Sequence, residues 1–227
     1  MKKLIFSLLI GAIVGWGIGW AATSKSFTLP LYEISFELSI IFTAIALLLV
    51  VSTIYYTQKI KRLAATNVDG DEEDAREQLL NKLYSDVTLG TTIAMVLGLV
   101  AFSVTVITEQ PIPLILAASA VTLLAAIYSL KSPALMKFVQ PYRDFPSITD
   151  NNYAKKLFAM SDEGERDTML QGLYAAFTLG NAMLIFAIIA CVFYSVLTEE
   201  SQMFSILVLA LIIVVMNTRY MLKVRNR

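Results

Sequence analysis

The sequence predicts an all-α polytopic membrane protein, and three observations carry that prediction. Apolar residues make up 57% of the 227 residues and charged residues only 16%, against about 45–50% and about 25% in soluble domains. The apolar residues are concentrated in six blocks of about 20 residues, each long enough to cross a bilayer as a helix. Part of the chain also recurs at an offset of 90 residues.

The six predicted spans divide the chain into membrane helices and connections, so that residues 1–227 form a single integral membrane domain. Pro111 and Pro113 mark a hairpin turn between the third and fourth spans, and Glu199 and Glu200 lie between the fifth and sixth. The connecting segments 58–84 and 131–171 are expected in the cytosol. The predicted spans are residues 4–22, 36–57, 85–107, 111–130, 172–196 and 202–222.

The distribution of basic residues predicts the orientation of the spans. Counted over alternate connections, 17 of the 18 Lys and Arg residues fall on one side and only Lys25 on the other. Because cytoplasmic connections carry the excess of Lys and Arg, both termini are expected in the cytoplasm, with the chain in the cell membrane. The first block also resembles a signal peptide, but its removal would leave five spans and undo this alternation, so an uncleaved helix is favoured.

The repeat predicts a duplicated structural unit. Residues 73–90 and 163–180 share eight identities in 18 positions, and we call residues 71–84 the first lead-in and residues 161–174 the second lead-in. Each lead-in begins with acidic residues, which favour a helix start, so continuous helices are expected over about 71–107 and 162–196. The architecture predicted is three helical hairpins, with cytosolic extensions on the third and fifth spans and a first hairpin without a lead-in.

Three spans carry stripes of small residues spaced four apart. Such stripes let two helices approach closely in a membrane. They fit either a seam for a homodimer or a membrane partner, or the packing of the three hairpins against each other; three equivalent stripes favour internal packing. The stripes are Gly11, Gly15 and Gly19; Gly90, Ala94 and Gly98; and Gly172, Ala176 and Gly180.

The composition also excludes several classes of function. The chain has no histidine, a single cysteine (Cys191) and a net charge of zero. No catalytic residue, metal ligand or cofactor site is therefore predicted, and the protein is expected not to be an enzyme. The net charge of zero predicts no direct binding to nucleic acid, so the lipid bilayer is the one partner that the composition implies. Asn181, within the fifth span, is expected to make a packing hydrogen bond.

The lead-ins supply the leading functional prediction. Apolar side chains at helical spacing occur in both, and they are expected either to pack beneath the membrane or to dock a soluble protein. The leading interpretation is a non-enzymatic membrane protein that binds or regulates a cytosolic or membrane partner through these helices. The residues expected to dock a partner are Leu80, Leu83, Tyr84, Leu170, Leu173 and Tyr174.

Two other functions remain open at this point. A bundle core without charge suits a transport component for a small uncharged or lipophilic ligand. An acidic external face suits immunity against a cationic membrane-active peptide. That face comprises Glu33, Glu37, Glu109, Glu199 and Glu200.

The chain is similar over its whole length to a known family. The similarity is carried by the opening MKKLIFSLLIGAIVGWGIG and by the two Leu-Tyr…Thr-Leu-Gly segments with acidic lead-ins. The chain resembles a family of small six-span membrane proteins of Gram-positive bacteria, a domain of unknown function. The resemblance implies a six-span fold and members encoded beside small helix-turn-helix regulators or export systems. It implies no activity and no site residues.

Overall fold

The computed structural model describes residues 32–66, 70–146, 150 and 152–225, and the regular structure of these residues is entirely helical. This confirms the all-α prediction for the part of the chain that is described. The elements are α1 Ser35–Ala64, α2 Asp71–Ile107, α3 Ile112–Lys131, a 3-10 helix Ser132–Leu135, α4 Met136–Val139, α5 Tyr153–Met160, α6 Glu163–Thr198 and α7 Met203–Arg225.

Five helical segments of the described residues are long and apolar enough to cross a membrane. They are α1, α2, the continuous stretch from α3 through α4, α6 and α7. Helices suit this environment because they satisfy every backbone polar group internally. The five segments include the spans predicted from residue 36 onwards, while the span at 4–22 and its Gly11, Gly15 and Gly19 lie outside the described residues.

The two longest helices extend well past the length that a membrane requires. Helix α2 has 37 residues and α6 has 36, which at 1.5 Å per residue is about 55 Å, against a hydrocarbon core of about 30 Å. Helix α6 begins with a capping box, in which Asp162 Oδ1 accepts from the Glu165 N–H at 2.7 Å and Glu165 Oε2 accepts from the Asp162 N–H at 3.2 Å. The continuous helices expected over 71–107 and 162–196 are therefore observed.

The described residues form two compact units, 32–160 and 161–225. In the first unit, α1, α2 and α3 pack against one another. Small side chains meet where the three helices are closest, because Ala94 of α2 and Ala125 of α3 are fully buried beside Val50 of α1. Small residues at such positions allow close approach of helix backbones in a membrane.

The second unit contains α6 and α7, which pack on each other after a short turn. Asn217 Nδ2 donates a hydrogen bond to Asn181 Oδ1 at 2.6 Å, and the rings of Phe177 and Tyr220 lie 5.0 Å apart, centre to centre. The contact between these helices thus combines a polar pair with an aromatic pair.

The turns after α2 and α6 share an uncommon backbone conformation. Glu109 has φ 51° and Glu199 has φ 60°, and the left-handed region is unfavourable for residues with a Cβ. The preceding Thr108 and Thr198 each donate a hydroxyl hydrogen bond to the carbonyl four residues earlier, at 2.8 Å in both cases. The two turns lie 90 residues apart in sequence and share the positive φ and the threonine hydrogen bond.

Candidate functional site

The apolar face of the first lead-in is covered within its own unit. Leu80 and Leu83 are only 3% and 5% exposed, and they form a buried cluster with Ile60 of α1 and with Leu135 and Val139 of the segment that follows α3. This face is therefore part of the folded core.

Tyr84 lies at the edge of the same cluster. Its side chain is partly buried against it, and burial raises the pKa of the phenol above its ordinary value. Tyr84 therefore contributes its ring to the edge of the covered face.

The segment that covers the first lead-in owes its course to Pro133. Proline lacks a backbone N–H and does not continue an α-helix, and the chain here passes into the 3-10 helix before α4 begins. Leu135 and Val139 are thereby placed against α2. The chain after Pro133 thus adds Leu135 and Val139 to the cover that Ile60 of α1 gives to Leu80 and Leu83.

Polar contacts also hold the first lead-in in place. The Tyr142 hydroxyl donates to Glu77 Oε1 at 2.8 Å, and the Arg76 guanidinium donates to the Thr66 carbonyl. The first joins α2 to the chain beyond α4, and the second joins α2 to the end of α1.

The second lead-in presents the matching residues to its surroundings. Leu170 is 53% exposed, and Leu173 and Tyr174 are each 66% exposed. They lie on one face of α6, because residues three and four apart are neighbours on a helix. Of the six residues predicted to dock a partner, Leu80 and Leu83 are therefore buried and Tyr84 is partly buried, whereas the three of the second lead-in are exposed.

The exposed face continues into a charged tip. Glu163 and Asp167 precede Leu170 and Tyr174 at helical spacing on the same face. The Asp167 carboxylate accepts a hydrogen bond from Gln171 Nε2 at 2.7 Å. Within residues 161–174 four acidic side chains stand against one arginine, so the tip carries a net negative charge.

The small-residue stripes also differ between the two units. A Cβ placed on Gly98 would lie 2.8 Å from Thr122 Oγ1 and 3.2 Å from Thr122 Cα, and one on Gly90 would lie 3.4 Å from Thr53 Oγ1. Ala94, between them, is fully buried. The α2 stripe therefore faces α1 and α3 within one chain.

The α6 stripe makes no such contact with the part of the chain that the structure describes. A Cβ on Gly172 or Gly180 would meet no described atom within 4 Å, and Ala176 is exposed. Whether this stripe is a seam for a second protein remains a prediction.

Asn217, which pairs with Asn181, was not anticipated from the sequence. The sequence spacing could have predicted this pair, because the two asparagines lie equally far along the chain from Glu199 in the turn. Residues that face each other in a helical hairpin have this spacing. Asn181 Nδ2 also donates to the Phe177 carbonyl at 3.0 Å. Both side chains thus have partners within the helical pair, as expected for a packing role.

No group of three or more His, Cys, Asp or Glu side chains that could hold a metal ion occurs in the part of the chain that the structure describes. Cys191 is a free thiol of intermediate burial. The features of interest are therefore surfaces and helix contacts.

Fold and surfaces together define an all-helical protein whose long apolar helices suit a membrane. A family described as "Protein of unknown function (DUF3169)" matches residues 1–224, and the chain belongs to that family. Neither a curated protein nor a solved structure matches the chain.

Proposed function

We propose that this is a non-enzymatic six-span protein of the cell membrane, with both termini in the cytoplasm, that binds a soluble cytosolic protein through its second lead-in. The observation that carries the proposal is the exposure of Leu170 and Leu173 at positions whose sequence matches, Leu80 and Leu83, are buried.

The distribution of basic residues supports the proposed orientation, and the conformation of two turns supports the proposed repeat. Seventeen of 18 basic residues fall on one side of the predicted spans, as cytoplasmic connections require. Glu109 and Glu199 share a left-handed conformation 90 residues apart, which is the match that a duplicated hairpin would have. This orientation places both lead-ins in the cytosol. The orientation has its own test: a cysteine at Ser201 should react from outside the cell, and one at Lys155 only from inside.

An exposed apolar face in water favours a binding partner. Burial of one large apolar side chain is worth about 1.5–3 kcal/mol, so a partner that covers Leu170 and Leu173 gains affinity from both. The first lead-in offers no such gain, because Leu80 and Leu83 are already covered.

The charge at the tip favours a protein over the membrane surface as the occupant. The cytoplasmic leaflet is negatively charged and attracts basic segments, whereas this tip carries Asp162, Glu163, Glu165 and Asp167. A complementary partner presents an apolar strip flanked by Lys or Arg, since complementary charges steer and orient association.

Site-specific photo-crosslinking in cells tests the proposal. A crosslinker at Leu173 should give an adduct with one soluble protein, whereas one at Leu179, which is exposed on the predicted fifth span, should not. The adduct should disappear in Leu170→Ser and weaken in Asp167→Lys, which reverses the charge at the tip.

Protein level and thermal stability in detergent should stay unchanged in both variants, since both side chains lie on the surface. Equal adducts from Leu173 and Leu179, an adduct of twice the chain's own mass, or one that survives Leu170→Ser would each refute docking of a soluble partner.

A further inference from the structure

A cavity of about 430 Å³ opens in the first unit, between the second half of α1, the end of α3 and the short helices that follow it. Val87 of α2 also lines it. The residues that line it belong to the first unit, and the proposed docking does not use them.

Three lysines from three different elements converge on this cavity. Lys61 belongs to α1, Lys131 ends α3 and Lys137 lies in α4. No Asp or Glu is among the described residues that line the cavity, and none of the three lysines joins a salt bridge within the described part of the chain. Three lysines thus line one cavity whose described lining supplies no counter-charge.

One aromatic ring brings two of these cations together. Lys61 Nζ lies 5.8 Å and Lys137 Nζ lies 5.2 Å from the centre of the Phe138 ring. A cation over a ring face is attracted to it, so Phe138 holds both ammonium groups at the cavity despite their mutual repulsion.

We propose that this cavity binds a phosphate group. Three ammonium groups are donors, and phosphate oxygens are strong acceptors that carry negative charge. Ile54, Val87 and Leu135 add apolar wall beside these donors, which suits a phosphate joined to an apolar body.

The favoured source of that phosphate is the headgroup of an anionic lipid. In the orientation proposed above, the cavity faces the cytoplasmic leaflet, where basic pockets between membrane helices bind such headgroups. This choice of source depends on the proposed orientation and not on the proposed docking of a protein partner.

Thermal unfolding of the purified full-length chain in neutral detergent tests the site. The probes are short-chain phosphatidylglycerol, short-chain phosphatidylcholine and inorganic phosphate, each titrated separately. Phosphatidylglycerol should raise the Tm in a saturable manner. Phosphatidylcholine should act far more weakly, because its headgroup has no net charge.

The variant that tests the site combines Lys61→Gln, Lys131→Gln and Lys137→Gln. Each lysine near a membrane surface contributes about fivefold in affinity, so the apparent Kd should rise roughly a hundredfold. The matched control combines Lys59→Gln, Lys82→Gln and Lys155→Gln, three lysines of the same unit that do not line the cavity. It should bind as the unmodified chain does.

Without ligand, the triple cavity variant should be at least as stable as the unmodified chain, because it removes repulsion between like charges. Lys137→Gln alone changes one exposed side chain of the cavity; it should weaken binding about fivefold without loss of the folded protein. This second variant tests the site even where the triple variant folds poorly.

Each outcome decides the proposal. A Tm shift from phosphatidylglycerol that the cavity variant alone abolishes supports a lipid headgroup site, and an equal shift from inorganic phosphate supports a site for a soluble phosphate compound. No shift, or equal loss of the shift in the cavity and control variants, overturns it. The photo-crosslinking at Leu173 can fail without affecting this result.

Discussion

The two lead-ins have matching sequences but opposite surroundings. Leu80 and Leu83 are buried in the first, whereas Leu170 and Leu173 are exposed in the second. Both belong to long helices that begin with acidic residues. Similar residues at the same helical spacing therefore serve as core in one place and as surface in the other.

The segment that follows the next helix explains the difference. After α3, Pro133 leads the chain into a 3-10 helix that places Leu135 on the first lead-in. The position 90 residues after Pro133 is occupied by Lys223, and α7 continues there as an α-helix. What covers a helix face, and not the face itself, decides its role here.

The largest expected effect is on the covered face. Leu80→Ala should lower the free energy of unfolding by about 2–4 kcal/mol, because it leaves a cavity in a packed cluster. Leu170→Ala should change it by less than about 0.5 kcal/mol, as exposed positions do. Unfolding of both variants in the same detergent checks this, and equal losses would remove the distinction between the lead-ins.

The glycines extend the comparison to the helix contacts. Gly98→Ala should cost about 1–3 kcal/mol, because the new Cβ would overlap Thr122 of α3. Gly180→Ala should cost nothing, since its Cβ would meet open space. Thermal unfolding of the two variants measures this. Similar behaviour would show that the α2 stripe is not a close helix contact.

The polar pair of the second unit should have a smaller effect. Asn217→Leu should cost about 0.5–1.5 kcal/mol, the range measured for hydrogen bonds between membrane helices. A double-mutant cycle with Asn181→Leu should show that the two changes are not additive. Strict additivity would mean that the asparagines do not interact.

The turns should give the smallest effect, and the same one in both halves. Glu109→Gly and Glu199→Gly should each stabilise the protein by about 0.5–1 kcal/mol, because glycine tolerates the left-handed conformation. Equal increases in Tm are expected. An increase in only one variant would show that the two turns are not equivalent.

The helices could be predicted from the sequence, and their surroundings only in part. The bounds of α2 and α6 could be predicted from the length of the apolar blocks and from the acidic residues at the helix starts. These signals are local, because they lie within the helices that they predict. The burial of Leu80 depends on where Leu135 lies after Pro133, and no helical periodicity contains that information. Equal spacing from Glu199 could have indicated the pairing of Asn181 with Asn217.

The lysine cavity could not be predicted from the sequence. Lys61, Lys131 and Lys137 each read as an ordinary basic residue near the end of a predicted span, as the excess of cytoplasmic charge requires. The approach of Lys61 and Lys137 to one ring, that of Phe138, depends on the packing of α1 against the segment after α3.

The labelling rate of two cysteine variants tests the contrast between the lead-ins most directly. Leu80→Cys and Leu170→Cys, each in a Cys191→Ala background, would react with a water-soluble maleimide in the purified protein. We expect rapid labelling of Leu170→Cys. Labelling of Leu80→Cys should be slower by about tenfold or more, because its thiol becomes accessible only through local opening. Denaturation should make the two rates equal. Equal rates in the folded protein would contradict the account, because the two lead-ins would then present the same face to solvent.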